Sequence, residues 1–172
     1  KKKIPIHNNR FVCFTLFALN ITAGVAVTFM FRYEPIVDQA LIISMAKFSL
    51  TDSLQNMSAG VVEYIMRHPY QYFYLQIIKV IFSVFGSGNT IAIRLIQVVI
   101  CSIGSLYTYR TITLLSGKKA TNVPIIMILI TMFWIIPQIY ASHIYGFCIG
   151  LSLSQFAVYH YLKFFMNHSK KS

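Results

Sequence analysis

Acidic residues are scarce in this sequence of 172 residues, which has four Asp and Glu against 15 Lys and Arg and a formal net charge of +11. Charged residues make up 11% of the chain, whereas soluble domains average roughly 25%. Hydrophobic residues make up 56%. This combination argues against a soluble globular domain and is typical of a membrane protein.

Spacings typical of metal, redox or phosphate-binding sites are absent as well. The three cysteines, Cys13, Cys101 and Cys148, stand far apart in apolar runs and are most simply small buried hydrophobic residues. The five histidines form no ligand-type spacing, so we expect no metal site built from them. The basic excess would favour nucleic acid in a soluble protein. Because the cations lie mostly at the chain ends and beside Gly117, we expect contacts with anionic membrane lipid and none with nucleic acid.

Four long apolar runs are present in the sequence. They lie at about 11–31, 91–115, 123–140 and 147–165, and a helix needs about 20 residues to cross the hydrocarbon layer. We therefore predict an all-α membrane protein with four transmembrane helices, which form a single membrane domain over 1–172.

The segment 32–90 is predicted to be an extracytoplasmic loop that carries juxtamembrane helices at about 37–49 and 71–86. The run at 71–86 is strongly apolar, but its 16 residues are few for a span. If it does not cross, ten of the 15 Lys and Arg face the cytoplasm and five face outside. If it crosses, the basic turn at 117–119 and the C-terminal tail change sides of the membrane or no longer agree with a cytoplasmic N-terminus. The positive-inside rule thus favours four spans in the cell membrane with both termini cytoplasmic.

All four acidic residues, Glu34, Asp38, Asp52 and Glu63, lie in this outer loop. Asp38 follows the first span closely, and a carboxylate beside a membrane can act as a general base or hold a divalent ion. The simpler alternative for Asp38 is a solvated loop residue or a helix cap. Glu34 can bind substrate or pair with Arg32 at the headgroup level, and Asp52 is interpreted as a helix cap.

Short motifs follow one another in a definite order along the chain. Residues 33–38 read YEPIVD and 64–71 read YIMRHPYQ, while 92–95 read AIRL and 114–119 read LLSGKK after a long span. By this order and spacing, the chain over about 11–165 resembles the N-terminal region of membrane glycosyltransferases with the GT-C fold. The nearest branch is the bacterial relatives of protein O-mannosyltransferases and aminoarabinose transferases.

The resemblance implies a multi-pass transferase of the cell envelope, which passes a sugar from a polyprenyl-phosphate carrier to an acceptor on the outer face. It implies that Asp38 is the catalytic residue, which activates an acceptor hydroxyl or holds a divalent metal over the phosphate. A basic side chain nearby would steady the developing phosphate charge. The predicted substrate-binding residues are Glu34, Arg67, His68, Gln71 and Lys79.

This sequence departs from that family in two ways. No acidic residue follows Glu63, whereas family members often carry a second one on the outer loop after the third span. Full enzymes of the family are also much longer, so the resemblance covers an N-terminal module only. The alternative is a small non-catalytic multi-pass membrane protein, which binds a membrane protein partner or a lipid-linked glycan.

Overall fold

The structure, a computed structural model, describes residues 10–31, 34–35, 38–51, 59–116, 122–133, 139, 143–144 and 146–168. This part of the chain is all-α, as predicted, with seven helices and no strand. The helices are α1 (Arg10–Met30), α2 (Asp38–Thr51), α3 (Ala59–Arg67), α4 (Tyr70–Phe85), α5 (Thr90–Ser116), α6 (Val123–Phe133) and α7 (Phe147–His168).

Within the described residues, two helices are long and apolar enough to cross a membrane, namely α1 with 21 residues and α5 with 27. Only 33% of the most apolar stretch of α1 and 39% of that of α5 is buried. The 11 residues of α6 begin where the third span was predicted, and residues 134–138 of that prediction lie outside the described part. The last helix, α7, has 22 residues but is less apolar, because it carries Ser152, Ser154, Gln155, His160 and Lys163.

α1 and α5 run in opposite directions along each other. Near the end of α1, Gly24 lies directly against Val98 in the first third of α5. Earlier in α1, Oδ1 of Asn20 accepts a hydrogen bond of 3.4 Å from the hydroxyl of Ser105, later in α5. Residue numbers therefore fall along α1 as they rise along α5, which is the arrangement of antiparallel helices.

α5 and α7 run in the same direction. Sγ of Cys101 lies 4.0 Å from the carbonyl oxygen of Cys148, and further along both helices the ring of Tyr107 meets that of Phe156 at a centroid distance of 4.9 Å. The start of α6 lies beside α1 and α5, since Met127 packs in one buried cluster with residues of both.

These contacts define two ends of the helix bundle. The Arg10 end holds the starts of α1 and α6 together with the ends of α5 and α7. The Thr90 end holds the end of α1 and the starts of α5 and α7. The shorter helices α2 and α4 pack at the Thr90 end, where Ile42, Ala46, Leu75 and Ile78 are fully buried in the largest core cluster.

The bounds of α4 follow from the residues around it. Pro69, with φ −61°, precedes the first turn, a position that suits proline because no backbone donor is needed there. Gly86 ends the helix with φ +96°, a conformation that favours glycine, and its N–H donates to the carbonyl of Phe82 at 3.1 Å. Asn89 then starts α5, because its Oδ1 accepts a 3.0 Å hydrogen bond from the N–H of Ala92.

Large apolar side chains cover the outward surface of the long helices. Phe11, Phe14 and Met30 on α1 are 74%, 71% and 76% exposed. The outward faces of α6 and α7 carry further exposed apolar residues, among them Ile125, Ile126, Phe147, Leu153, Phe164 and Phe165. Contiguous exposed apolar surface of this kind marks contact with a membrane or with another protein.

Candidate functional site

A cavity of about 390 Å³ lies between the first turns of α4 and α7, at the Thr90 end of the bundle. This volume falls in the range of small-molecule pockets. Its wall is mainly apolar, and the amide of Gln71 and the hydroxyl of Tyr70 are among its few polar groups. Residues of both helices line it, including Tyr70, Gln71, Tyr74, Ile77, Gly150 and Leu153.

Two glycines form the α7 side of this cavity. A Cβ atom at Gly146 would lie 3.1 Å from Cγ of Tyr74, closer than ordinary van der Waals contact, so the chain just before α7 approaches α4 closely here. A Cβ atom at Gly150 would meet no atom within 4 Å, so this position faces open space. Because glycine has no side chain, position 150 leaves part of the cavity volume open.

Tyr74 anchors α4 to α5 behind the cavity wall. Its hydroxyl accepts a hydrogen bond of 3.1 Å from Nε2 of Gln97, and its side chain is only 2% exposed. Burial raises the pKa of the Tyr74 hydroxyl well above its ordinary value. The hydroxyl therefore stays neutral at physiological pH and is unsuited to act as a base.

His68 lies outside the cavity lining but contacts Tyr70, which is one of the lining residues. The Tyr70 hydroxyl and Nδ1 of His68 form a hydrogen bond of 3.2 Å, and the His68 ring also contacts the ring of Tyr64 at a centroid distance of 4.9 Å. Gln71 follows directly and is 5% exposed. The corner between α3 and α4 thus brings two of the predicted substrate-binding residues, His68 and Gln71, to one side of the cavity.

Arg67 lies at the same corner, but its guanidinium pairs with Glu63 on α3. Its Nη2 lies 2.5 Å from Oε1 of Glu63, one turn earlier on α3. Both side chains are well exposed, at 73% and 61%, so the pair contributes only about 0.3–0.5 kcal/mol to stability. An anion that binds Arg67 more tightly than Glu63 does would therefore displace Glu63 with little loss of stability.

Asp38, Glu34 and Lys79 lie away from the lining of the cavity. Asp38 is the first residue of α2 and half-buried, Glu34 is exposed, and Lys79 is half-buried on α4. Within the described segments, no hydrogen bond or ion pair joins Asp38 to any other predicted site residue. The catalytic role of Asp38 and the binding roles of the other residues stay predictions, and Arg32 and Asp52 lie outside the described residues.

A divalent metal does not fit the described residues. No group of three His, Cys, Asp or Glu among them could hold an ion, and Asp38 by itself supplies a single carboxylate. Metal ions such as Mg²⁺ and Ca²⁺ need several oxygen ligands.

Sequence reasoning missed the features that shape the cavity. The contact between Tyr74 and Gln97 and the approach of Gly146 to Tyr74 join segments that are distant in sequence. One signal was available, because Gly146 and Gly150 have the small-xxx-small spacing that permits close helix packing in membranes. Gly146 serves such a contact, whereas Gly150 leaves space.

No protein-family model, curated protein or solved structure matches this chain. The resemblance to GT-C glycosyltransferases therefore depends on the sequence motifs alone.

Proposed function

We propose that the chain is a multi-pass membrane protein in which α1, α5, the predicted span at 123–140, which contains α6, and α7 all cross the membrane. The exposed apolar surface and the two span-length helices support this. The Arg10 end faces the cytoplasm and the Thr90 end faces outward. The sequence places most Lys and Arg in or beside the Arg10 end, as the positive-inside rule requires.

Within this arrangement, the chain is the lipid-binding N-terminal module of a GT-C-type glycosyltransferase of the cell envelope. Its ligand is a polyprenyl-phosphate-linked sugar. The observation that carries this proposal is the mainly apolar cavity at the Thr90 end, with Gln71 in its lining and His68 hydrogen-bonded to the lining residue Tyr70. A mainly apolar wall suits an isoprenoid chain, and a few polar groups at one edge suit its headgroup.

The predicted residues have separate roles in sugar transfer, and three of them, Glu34, Asp38 and Lys79, lie outside the cavity lining. Arg67 or Lys79 neutralises the phosphate that remains when the sugar departs. Glu34, His68 and Gln71 orient the sugar by hydrogen bonds. Asp38 accepts the proton of the acceptor hydroxyl as that oxygen attacks the sugar carbon.

Photolabelling tests the lipid-binding part of the proposal. The full chain in proteoliposomes is exposed to a polyprenyl phosphate that carries a diazirine on its chain. Gly150→Leu should strongly reduce labelling, because the new side chain enters the cavity without a backbone clash. Gly60→Leu is the matched control, since a Cβ atom at Gly60 also meets no atom within 4 Å but lies on α3, away from the cavity lining. Equal labelling of both variants and the parent chain would show that the cavity does not bind the lipid.

A second candidate is the non-catalytic membrane protein that binds a partner or a lipid-linked glycan. It is favoured by the separation of Asp38 from the cavity lining. Asp38→Asn discriminates between the two, because it should leave photolabelling intact and abolish sugar transfer in an intact transferase. A variant that transfers sugar at the parental rate would exclude Asp38 as the base, and a native membrane product near 19.7 kDa that binds the probe without transfer would support the second candidate.

A further inference from the structure

We propose that Arg110 and Lys163 form a binding site for the phosphate of an anionic lipid headgroup at the Arg10 end of the bundle. The site lies at the opposite end from the cavity and takes a different ligand. It rests on the membrane location proposed above and on no property of the cavity or of Asp38.

Each of the two cations lies near one ring of a contacting tyrosine pair, which joins α5 to α7. Cζ of Arg110 lies 5.5 Å from the ring centre of Tyr107 on α5, and Nζ of Lys163 lies 5.7 Å from the ring centre of Tyr159 on α7. Both distances are within the ~6 Å reach of cation–π attraction. The two rings are themselves 5.6 Å apart, so a single aromatic pair holds one cation from each helix.

His160 completes the cluster beside the same rings. Its ring lies 5.8 Å from that of Tyr107 and 5.1 Å from that of Tyr159. The imidazole adds a polar edge that can donate to a phosphate oxygen. The cluster thus combines two permanent cations, a hydrogen-bonding ring and two phenols at the junction of α5 and α7.

Among the residues that the structure describes, no carboxylate pairs with either of these cations. The sequence contains no acidic residue after Glu63, so none occurs in α5, α6 or α7 or in the segments that join them. In addition, Nε of Arg110 is buried without a hydrogen-bond partner in the described part of the chain. Burying a donor without a partner is costly, and an anion drawn to the guanidinium offsets that cost.

The depth of the cluster matches a lipid headgroup. The 27 residues of α5 extend about 40 Å, whereas the hydrocarbon layer is about 30 Å thick. Arg110 lies six residues before the end of α5, or about 9 Å along the axis, which puts its long side chain near the boundary with the headgroups. Guanidinium groups bind phosphate oxygens in a bidentate manner, so phosphate is the anion that this site would select.

Native mass spectrometry of the full chain in mild detergent tests the site, with phosphatidylglycerol and phosphatidylcholine as probes. We expect the parent chain to prefer phosphatidylglycerol, and we expect Arg110→Gln and Lys163→Gln each to lower its affinity about fivefold, the effect of roughly 1 kcal/mol per cation. Arg110→Lys keeps the charge and should retain most of the binding, which separates loss of the site from loss of the fold. Lys47→Gln, which removes one charge at the Thr90 end, should bind like the parent chain.

Several results would overturn the proposal. Parental affinity in both Arg110→Gln and Lys163→Gln would exclude the site, and an equal loss in Lys47→Gln would show that only total charge matters. Competition by inorganic phosphate would assign the site to a soluble anion instead of a lipid. If the chain floats with lipid vesicles but does not prefer phosphatidylglycerol over phosphatidylcholine, this site alone is refuted. If the chain does not float with vesicles, the membrane location is refuted, and both proposals fail with it.

Discussion

Gly24 marks the close approach of α1 to α5, and Gly24→Ala tests how tightly the two helices are packed. A Cβ atom at Gly24 would lie 2.5 Å from Cγ1 and 2.9 Å from Cγ2 of Val98, whereas carbon atoms pack best at about 3.5–4.0 Å. Val98 is 2% exposed, and a valine in a helix keeps one strongly preferred rotamer. Since Val98 cannot turn away, the substitution must move the helices apart by roughly 1 Å.

Gly150→Ala is a matched control for the size of this effect. Both substitutions replace a helical glycine by alanine, which favours the helix by about 1 kcal/mol. Only Gly24→Ala also overpacks a contact, at a cost of about 1–3 kcal/mol, because a Cβ atom at Gly150 meets nothing within 4 Å. We therefore expect the Gly24→Ala variant to be less stable than the Gly150→Ala variant by about 1–3 kcal/mol.

Unfolding by sodium dodecyl sulfate in a mild detergent measures this difference. A thiol-reactive dye follows the exposure of the three free cysteines, of which Cys148 is 3% exposed and packs in one cluster with Val98. Adding Val98→Ala to Gly24→Ala should restore part of the lost stability, because it removes the atoms that the new methyl group meets. If Gly24→Ala proves as stable as Gly150→Ala, or if Val98→Ala gives no recovery, the close packing of α1 on α5 is refuted.

The remaining predictions concern the Thr90 end and are read by the same unfolding assay. Tyr74→Phe should cost about 1–2 kcal/mol, since it leaves the buried amide of Gln97 without the hydroxyl that accepts its hydrogen bond; no change would exclude that bond. Glu63→Gln should cost at most about 0.5 kcal/mol, because its pair with Arg67 is exposed, and a larger loss would show that the pair is not a surface contact. Gly88→Ala should destabilise by about 1 kcal/mol or more because its φ is +81°, and a neutral effect would contradict that turn.

Helix positions could be predicted from the sequence where local signals are strong. The helices expected at 37–49 and 71–86 are observed as Asp38–Thr51 and Tyr70–Phe85. The second is bounded by Pro69 and Gly86, whose backbone preferences act locally. α3 forms at Ala59–Arg67 although it contains Gly60, and Val61, Tyr64 and Ile65 pack against the main core cluster. Tertiary packing there outweighs helix propensity.

The candidate site was predictable only in part, for a physical reason. His68 and Gln71 flank Pro69 and Tyr70, so a single chain corner carries both to the cavity edge. The cavity itself depends on Gly146 lying against Tyr74, a contact across more than 70 residues of sequence, which no local periodicity encodes. The prediction for Asp38 depends on its position just after the first span and on the family resemblance, and neither determines what its carboxylate faces.

The segregation of charge along the chain gives the two ends of the bundle different chemistry. At the Thr90 end, the exposed cation Arg67 already pairs weakly with Glu63, so the phosphate carrier that we propose would compete with a carboxylate and bind mainly through its apolar chain. At the Arg10 end, Arg110 and Lys163 have no carboxylate within α5, α6 or α7, so an anion binds by charge. Salt screens exposed charges strongly and apolar contacts hardly at all. Raising the ionic strength should therefore release phosphatidylglycerol while leaving the polyprenyl probe bound, and parallel loss of both ligands would contradict two separate sites.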